Sequence, residues 1–271
     1  VRALSDAAVR LGAEAIVHLM VETGLNRYGL LPEATVELAE TARALPNVVV
    51  EGLATHLASV DEGDKTFTYR QYESFRACAE RLDWVPLHHI ASTGAVLDLP
   101  DLDLAMVRTG IGVYGIYPSN EVSHAVPLQP VMALRSRVAR VASIAAGESV
   151  GYGRQARIAT VMAGYGDGVR RALSNAGVDL VRGGRSPVVG RIAMDMHMID
   201  VTDIPDVQPE DEVTLFGEQD GAVLGVDEVA GLAGTISYEI VTGVMARVPR
   251  LFLRGGRVVA CSDLAGYRTL E

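Results

Sequence analysis

Lysine is almost missing from this chain. Of its 24 basic residues only Lys65 is a lysine, which leaves 23 arginines, a bias of the kind a GC-rich genome imposes. Lys65 lies in the polar segment Asp61-Glu62-Gly63-Asp64-Lys65, just ahead of a helical pattern. A solvated ammonium is expected there, because lysine is seldom buried without a partner. Cysteine is scarce too: Cys78 falls inside a helical pattern and Cys261 near the end of an apolar run. Neither a disulfide framework nor a metal-ligand spacing can be built from them, and two buried thiols in a reducing compartment are expected. No run of basic residues interrupts a net charge of -10, which argues against nucleic acid and anionic membrane surfaces as partners. No apolar stretch reaches the roughly 18 residues of a spanning helix. The opening Val1-Arg2-Ala3-Leu4-Ser5-Asp6 has no signal-peptide core, so a cytoplasmic location is expected.

What is present is enough apolar material for a large core: 49% of 271 residues, room for one large domain or two ordinary ones. The first part alternates strand-like runs with amphipathic helices. Val17 to Val21 reads as a strand, and Pro32 to Leu45 as a helix opened by proline, with Val36, Ala39, Ala42 and Leu45 on one face. Val48 to His56 is again strand-like, and Phe67 to Leu82 repeats Tyr72, Phe75, Ala79 and Leu82 at helical spacing. Two further strand-and-turn units follow at His88 to Ala91 and Leu104 to Val107. Four such units predict a parallel sheet covered by helices.

From about Leu128 the pattern changes to Val131 to Ile144, Ile158 to Met162, Val188 to Ile192 and Glu212 to Phe216, punctuated by Gly147, Gly183-Gly184 and Gly217. This predicts a separate, mainly-β domain. A helix pair, Asp227 to Ala233 and Thr235 to Val248, and a hairpin around Gly255-Gly256 complete it. The boundary is expected in Pro118 to Pro127, giving domains 1–120 and 121–271.

Three glycine-framed peptides stand at the centre of the chain: Val150-Gly151-Tyr152-Gly153, Gly164-Tyr165-Gly166-Asp167-Gly168 and Gly190-Arg191-Ile192-Ala193-Met194-Asp195-Met196. Each sets a polar or bulky side chain where backbone can pass close to a ligand. With Val21-Glu22-Thr23-Gly24-Leu25-Asn26-Arg27 and Met106-Val107-Arg108-Thr109-Gly110-Ile111-Gly112-Val113-Tyr114-Gly115 before them, the chain resembles alanine racemase from about Val17 to Pro249. The resemblance implies pyridoxal 5'-phosphate as cofactor, interconversion of L- and D-alanine that supplies D-alanine for peptidoglycan, and a homodimer with shared sites. The family has a complete (β/α)8 barrel, about 250 residues or roughly 30 per unit, with its Schiff-base lysine on the first strand. Four units make a partial (β/α)8 barrel followed by the mainly-β domain, an α/β plus β fold. The expectation is therefore a C-terminal portion that lacks the lysine-bearing half, inactive by itself, with Lys65 unable to replace the missing lysine.

Racemisation needs two bases on opposite faces of the α-carbon, a lysine and a tyrosine in the family, and Tyr152 matches the tyrosine. Arg27 matches the cation beside that phenol, which also holds the substrate carboxylate in its planar fork. Arg108 matches an arginine facing the cofactor's pyridine nitrogen, and His56 a residue supporting it. The resemblance assigns the cofactor phosphate to Ser92, Thr93, Gly110, Ile111 and Tyr238, and the walls of the substrate pocket to Tyr165 and Met194, with Asp195 nearby. Met20 stands where many relatives carry a lysine, often carbamylated, and the interval from Tyr152 to Tyr165 is shorter than usual. Each residue also has a plainer reading, as a turn tyrosine, a surface arginine or an arginine paired to a neighbouring acid. Two other functions remain open: a non-catalytic protein that keeps the cofactor-binding and dimerisation surfaces, and a pyridoxal-dependent amino-acid decarboxylase of the same plan. The second lacks a catalytic cysteine with acidic neighbours.

Overall fold

The computed structural model describes residues 1–145 and 156–270. The chain divides into two compact units, Val1–Gln129 and Pro130–Glu271, whereas the sequence places the change at 120/121.

In the first unit three parallel strands, β1 (Ala15–Met20), β2 (Val48–Ala54) and β3 (Leu87–His89), lie in the order β1-β2-β3. Helix α1 (Arg2–Leu11) precedes them, α2 (Pro32–Arg43) joins β1 to β2, and α3 (Thr66–Glu80) joins β2 to β3. Proline at the first position of α2 supplies a preset φ where its missing N–H costs nothing. Thr35, Ala39 and Ala42 then recur on its buried face, and small residues there let α2 pack against both β2 and α3. Gln71, Phe75, Cys78 and Ala79 form the buried face of α3. The core between these layers includes Leu19, Val50, Leu53, Phe75, Leu82 and Ile90.

The expected fourth strand at Leu104–Val107 does not form. Leu104 has φ 52, a left-handed backbone that no strand accommodates, and Val107 stays exposed. What remains is one parallel bridge between Ser92 and Arg108, which suffices to bring Arg108 beside the end of β3. A short helix, α4 (Thr93–Asp98), follows β3 directly.

Lys65 also departs from expectation. Its ammonium pairs with Asp98 at 2.9 Å and donates to the carbonyls of Val60 (2.8 Å) and Glu62 (2.6 Å). It is tied down by local acceptors, not solvated.

The second unit is a closed antiparallel ring. Strands β4 (Leu134–Ile144), β5 (Ala156–Val161), β6 (Val178–Val181), β7 (Gly184–Val189), β8 (His197–Asp200), β9 (Glu212–Gln219) and β10 (Ala222–Leu224) run in the order β10-β9-β4-β5-β8-β7-β6. β6 pairs back onto β9 at Leu180–Thr214 and Val181–Val213. Closure pairs both edges of the six strands from β4 to β9, edges that would otherwise invite pairing with another chain, and leaves β10, paired among the described strands only with β9, outside the ring. Helices α5 (Val226–Ala233) and α6 (Ser237–Gly243) come next; α6 is much shorter than the expected Thr235–Val248. The hairpin around Gly255-Gly256 forms from β11 (Arg250–Arg254) and β12 (Arg257–Asp263), with β13 (Gly266–Thr269) added.

The turn from Gly164 to Gly168 sits against α6. Gly168 has φ +110, and a Cβ there would lie 2.4 Å from the Gly243 carbonyl oxygen. Gly168→Ala should therefore cost about 2–4 kcal/mol, combining a disallowed backbone with a collision. Gly255→Ala, at φ +56 in open space, should cost only about 1 kcal/mol. Denaturant midpoints of the two variants measure the difference, and equal losses would contradict it.

Candidate active site

The candidate residues of the first unit lie past the C-terminal ends of the parallel strands, the edge where such sheets carry their sites. Arg108 is the centre of the group. Its guanidinium donates to the His89 carbonyl (2.9 Å) and the Thr55 carbonyl (2.8 Å), and to Nδ1 of the His89 ring (2.5 Å). Among the described residues no carboxylate pairs with it. Its partners are therefore neutral, and burial alone lowers its pKa.

An arginine can only donate, so the ring roles beyond it are fixed. Nδ1 of His89 must accept, which puts the hydrogen of the neutral ring on Nε2. That atom lies 2.6 Å from His18 Nδ1, and His18 Nε2 lies 3.0 Å from Glu51 Oε2. The bonds thus run in one direction, from Arg108 through His89 and His18 to Glu51. Gly52 makes room for this: a Cβ there would fall 2.3 Å from His18 Nδ1. Burial first, then the charge of Arg108 and the neighbouring His18 and His88, lower the His89 pKa to about 4.

Sequence reasoning named His56 as the support of Arg108. The structure gives that contact to His89. His56 is half-buried; burial and the positive charges of Arg27 and Arg108 lower its pKa, against an opposing pull from Asp61. His56, Arg27 and Arg108 are thus brought into one electrostatic neighbourhood.

Arg27 is exposed at the end of a loop that leaves β1. The loop is wound around the Glu22 carboxylate. Burial raises the Glu22 pKa, but the backbone N–H groups of Asn26, Gly24, Arg27 and Leu25 outweigh it and lower the value overall. Behind the loop, the fully buried Gln71 carboxamide donates to Thr23 Oγ1 (3.1 Å) and the His56 carbonyl (3.2 Å) and accepts from the Ala58 N–H (2.8 Å). Thr23 and Thr55 join through their hydroxyls at 2.8 Å. Sequence reasoning missed Glu22, Gln71, His18, Glu51 and His89. Gln71 left a signal, a large polar residue on the apolar face of a helix.

Ser92 caps α4 without a side-chain cap bond. Buried Thr93 accepts the Gly110 N–H (3.1 Å) and the Gly112 N–H (3.3 Å) at Oγ1, joining α4 to the turn that holds Gly110 and Ile111. Ser92, Thr93, Gly110, Ile111 and Arg108 therefore share one corner. Met20, which ends β1, is half-buried.

In the second unit Tyr165, Met194 and Asp195 come together. The Tyr165 N–H donates to the Ala193 carbonyl (3.0 Å) and the Gly166 N–H to the Met194 carbonyl (2.7 Å). A Cβ on Gly164 would strike Ala193–Asp195 backbone at 2.4–2.5 Å, so the two segments need glycine to close. Asp167 accepts from Gly164 N–H (2.9 Å) and pairs with Arg247 (2.7 Å). Burial raises its pKa, and these two bonds with the Arg247 charge lower it overall. The side chains of Tyr165 and Met194 are exposed. Tyr238 lies on α6, its carbonyl accepting from Thr242 at 2.7 Å. Tyr152 lies outside the described residues. Among the described residues no group of three or more His, Cys, Asp or Glu could hold a metal ion, and no helix is long and apolar enough to cross a membrane.

The alanine racemase N-terminal domain family matches residues 1–118, and the alanine racemase C-terminal domain family matches residues 131–252. Alanine racemase of Desulfosudis oleivorans is 43% identical over 274 residues, covering 94% of this chain and 70% of that protein. The chain belongs to the alanine racemase family. The alanine racemase structure from Clostridium difficile 630 superposes with a TM-score of 0.88 at 33% identity, covering 96% of this chain and 70% of that one. The Bacillus anthracis alanine racemase with bound L-Ala-P gives 0.86 at 32%, covering 96% and 71%. These likenesses support the alanine racemase fold, a barrel plus a C-terminal β domain, to which the described residues of the first unit contribute three parallel strands. The N-terminal-domain match corrects two expectations: it does not support a chain lacking the lysine-bearing half, nor one inactive for that reason.

His89 should remain neutral, with its hydrogen on Nε2, down to a pH near its folded pKa of about 4. A histidine whose pKa falls on folding contributes stability above its unfolded value, near 6.5, and loses it as pH drops toward 4. Ring ¹⁵N shifts followed from pH 7 to 4 test this, and protonation of His89 at pH 6 would refute it.

Proposed function

We propose that this alanine racemase family member interconverts L- and D-alanine with pyridoxal 5'-phosphate. The observation that carries the reading is Arg108, a half-buried cation bonded to neutral acceptors beside a helix start whose Ser92 makes no side-chain cap bond. That pairing fits a ligand with a hydrogen-bond acceptor at one end and a phosphate at the other. When bound, the cofactor supplies an electron-withdrawing ring that acidifies the α-hydrogen of an attached amino acid.

The chain's own residues divide the remaining work. Arg108 would donate to the pyridine nitrogen and, having no acceptor, could not take part in its protonation, which would keep electron withdrawal moderate. That disfavours side reactions such as transamination. Ser92, Thr93 and the Ile111 N–H would hold the phosphate, in a turn that Gly110 ties to Thr93 Oγ1 through its own N–H, with Tyr238 as a further donor. Arg27 grips the substrate carboxylate. Tyr152 removes or returns the α-proton at its phenol oxygen, and a nearby guanidinium favours the phenolate that this requires. The family's second base is a lysine; Lys65, the one lysine of this sequence, is tied to Asp98 and is not proposed for it. The residues named here therefore account for proton transfer at one face of the α-carbon. Tyr165 and Met194 limit the side chain to a small one, with Asp195 beside them; His89 supports Arg108, and His56 feels the charges of Arg27 and Arg108.

In the family the tyrosine and the pocket walls serve the partner's site, so we propose a homodimer, in the cytoplasm, supplying D-alanine for peptidoglycan. One methylene of discrimination is worth about 1–3 kcal/mol, so L-serine should be a slow substrate. Incubating the holoenzyme with L-alanine and measuring D-alanine tests the activity directly; no D-alanine would overturn it. Tyr152→Phe should lower kcat with L-alanine by about 10²–10⁴-fold while the Kd for cofactor stays unchanged. Parallel loss of both would remove Tyr152 from the role of base.

A further inference from the structure

Among the described residues of the second unit, one deeply buried ionisable pair takes no part in the chemistry above. His197, the first residue of β8, is 1% exposed, and Asp179 on β6 is 4% exposed. His197 Nε2 lies 2.6 Å from Asp179 Oδ2, and its Nδ1 lies 2.7 Å from the Ala163 carbonyl oxygen. A carboxylate and a carbonyl both accept, so each ring nitrogen faces an acceptor. Two ring nitrogens that both donate describe an imidazolium.

The Ala163 carbonyl belongs to the peptide that opens the Tyr165 turn. Its other end, the Gly164 N–H, is held by Asp167, which is itself paired with Arg247. One peptide plane is therefore gripped at both ends, its oxygen by a cation and its hydrogen by an anion. The charges alternate along the line Asp179, His197, peptide, Asp167, Arg247, and the peptide dipole is aligned with them. Asp179 from β6 and the Ala163 carbonyl after β5 are the groups bonded to the ring; Asp167 and Arg247 face it only across the peptide.

We propose that His197, held as an imidazolium by Asp179, is a positioning residue that clamps the Ala163–Gly164 peptide and so fixes the turn carrying Tyr165. Burial opposes the charge, but the Asp179 hydrogen bond and charge, with the Ala163 carbonyl, raise the ring's pKa overall. The sign of the stability effect follows. It is complete below the unfolded value near 6.5 and is lost as pH rises through the raised folded value. Its consequence for substrate rests on the reading of Tyr165 as a pocket wall.

The test uses the full holoenzyme and three variants. His197→Phe removes the donor but strands a buried carboxylate, which can prevent folding. The double variant His197→Phe/Asp179→Leu removes clamp and charge together and keeps the interior apolar. Asp179→Asn keeps a neutral ring that still donates from Nδ1 to Ala163 while accepting from the new carboxamide. In the wild type, ring ¹⁵N shifts at pH 7 should show both nitrogens protonated. In the double variant, exchange of the Gly164, Tyr165 and Gly166 amides should accelerate roughly tenfold or more. Its KM for alanine should rise roughly three- to tenfold, with kcat changed less than about threefold. Asp179→Asn should stay near the wild type in exchange. A neutral wild-type ring at pH 7, or unchanged exchange in the double variant, overturns the clamp. Faster exchange with unchanged KM supports the clamp and removes Tyr165 from the pocket wall instead.

Discussion

A guanidinium that cannot surrender its proton governs the first unit. Because Arg108 only donates, His89 must accept at Nδ1, His18 must accept from His89, and Glu51 must receive the last hydrogen. These partners sit on β3, β1 and β2. The bond chain steps from β3 over Gly52 of the central strand to β1 and then returns to β2, so strand register and site geometry are one constraint. A one-residue slip would move His18 to the other face and break the line. The missing side chain at Gly52 belongs to the same constraint, since the His18 ring occupies the space a Cβ would need.

The second unit solves a different problem. Tyr165 is exposed and contributes little packing of its own, so its place is set by backbone. Two interlocked segments, 163–168 and 193–197, exchange main-chain bonds where glycine allows contact. They are anchored to a ring of strands with no free edge between β6 and β9. An exposed aromatic on a backbone-fixed turn leaves only two side-chain torsions to order when a ligand is contacted.

Much of the architecture was legible, for reasons that differ by element. Proline at Pro32 and small residues at helical spacing marked α2; Gly255-Gly256 between alternating residues marked the last hairpin. The motifs around Arg27, Arg108, Tyr165 and Met194 were legible as a family resemblance, and the structure gathers Arg27 with Arg108 and Tyr165 with Met194. The fourth strand misled, because an apolar run at Leu104–Val107 carries no record of the left-handed backbone at Leu104. Lys65 misled because Asp98 is far away in sequence and adjacent in space. The hidden residues share a cause. Gln71, His18 and Glu51 are polar groups inside otherwise apolar or ordinary patterns, and their partners come from other strands and loops.

Gln71 shows what such a residue imposes. One carboxamide on α3 fastens the loop after β1 and the loop after β2 at three points, with no solvent to compete. The arm bearing Arg27 and the corner bearing His56 are therefore parts of a single rigid bracket. Neither can drift to suit a larger ligand without dragging the other, and the helix behind them, along with it.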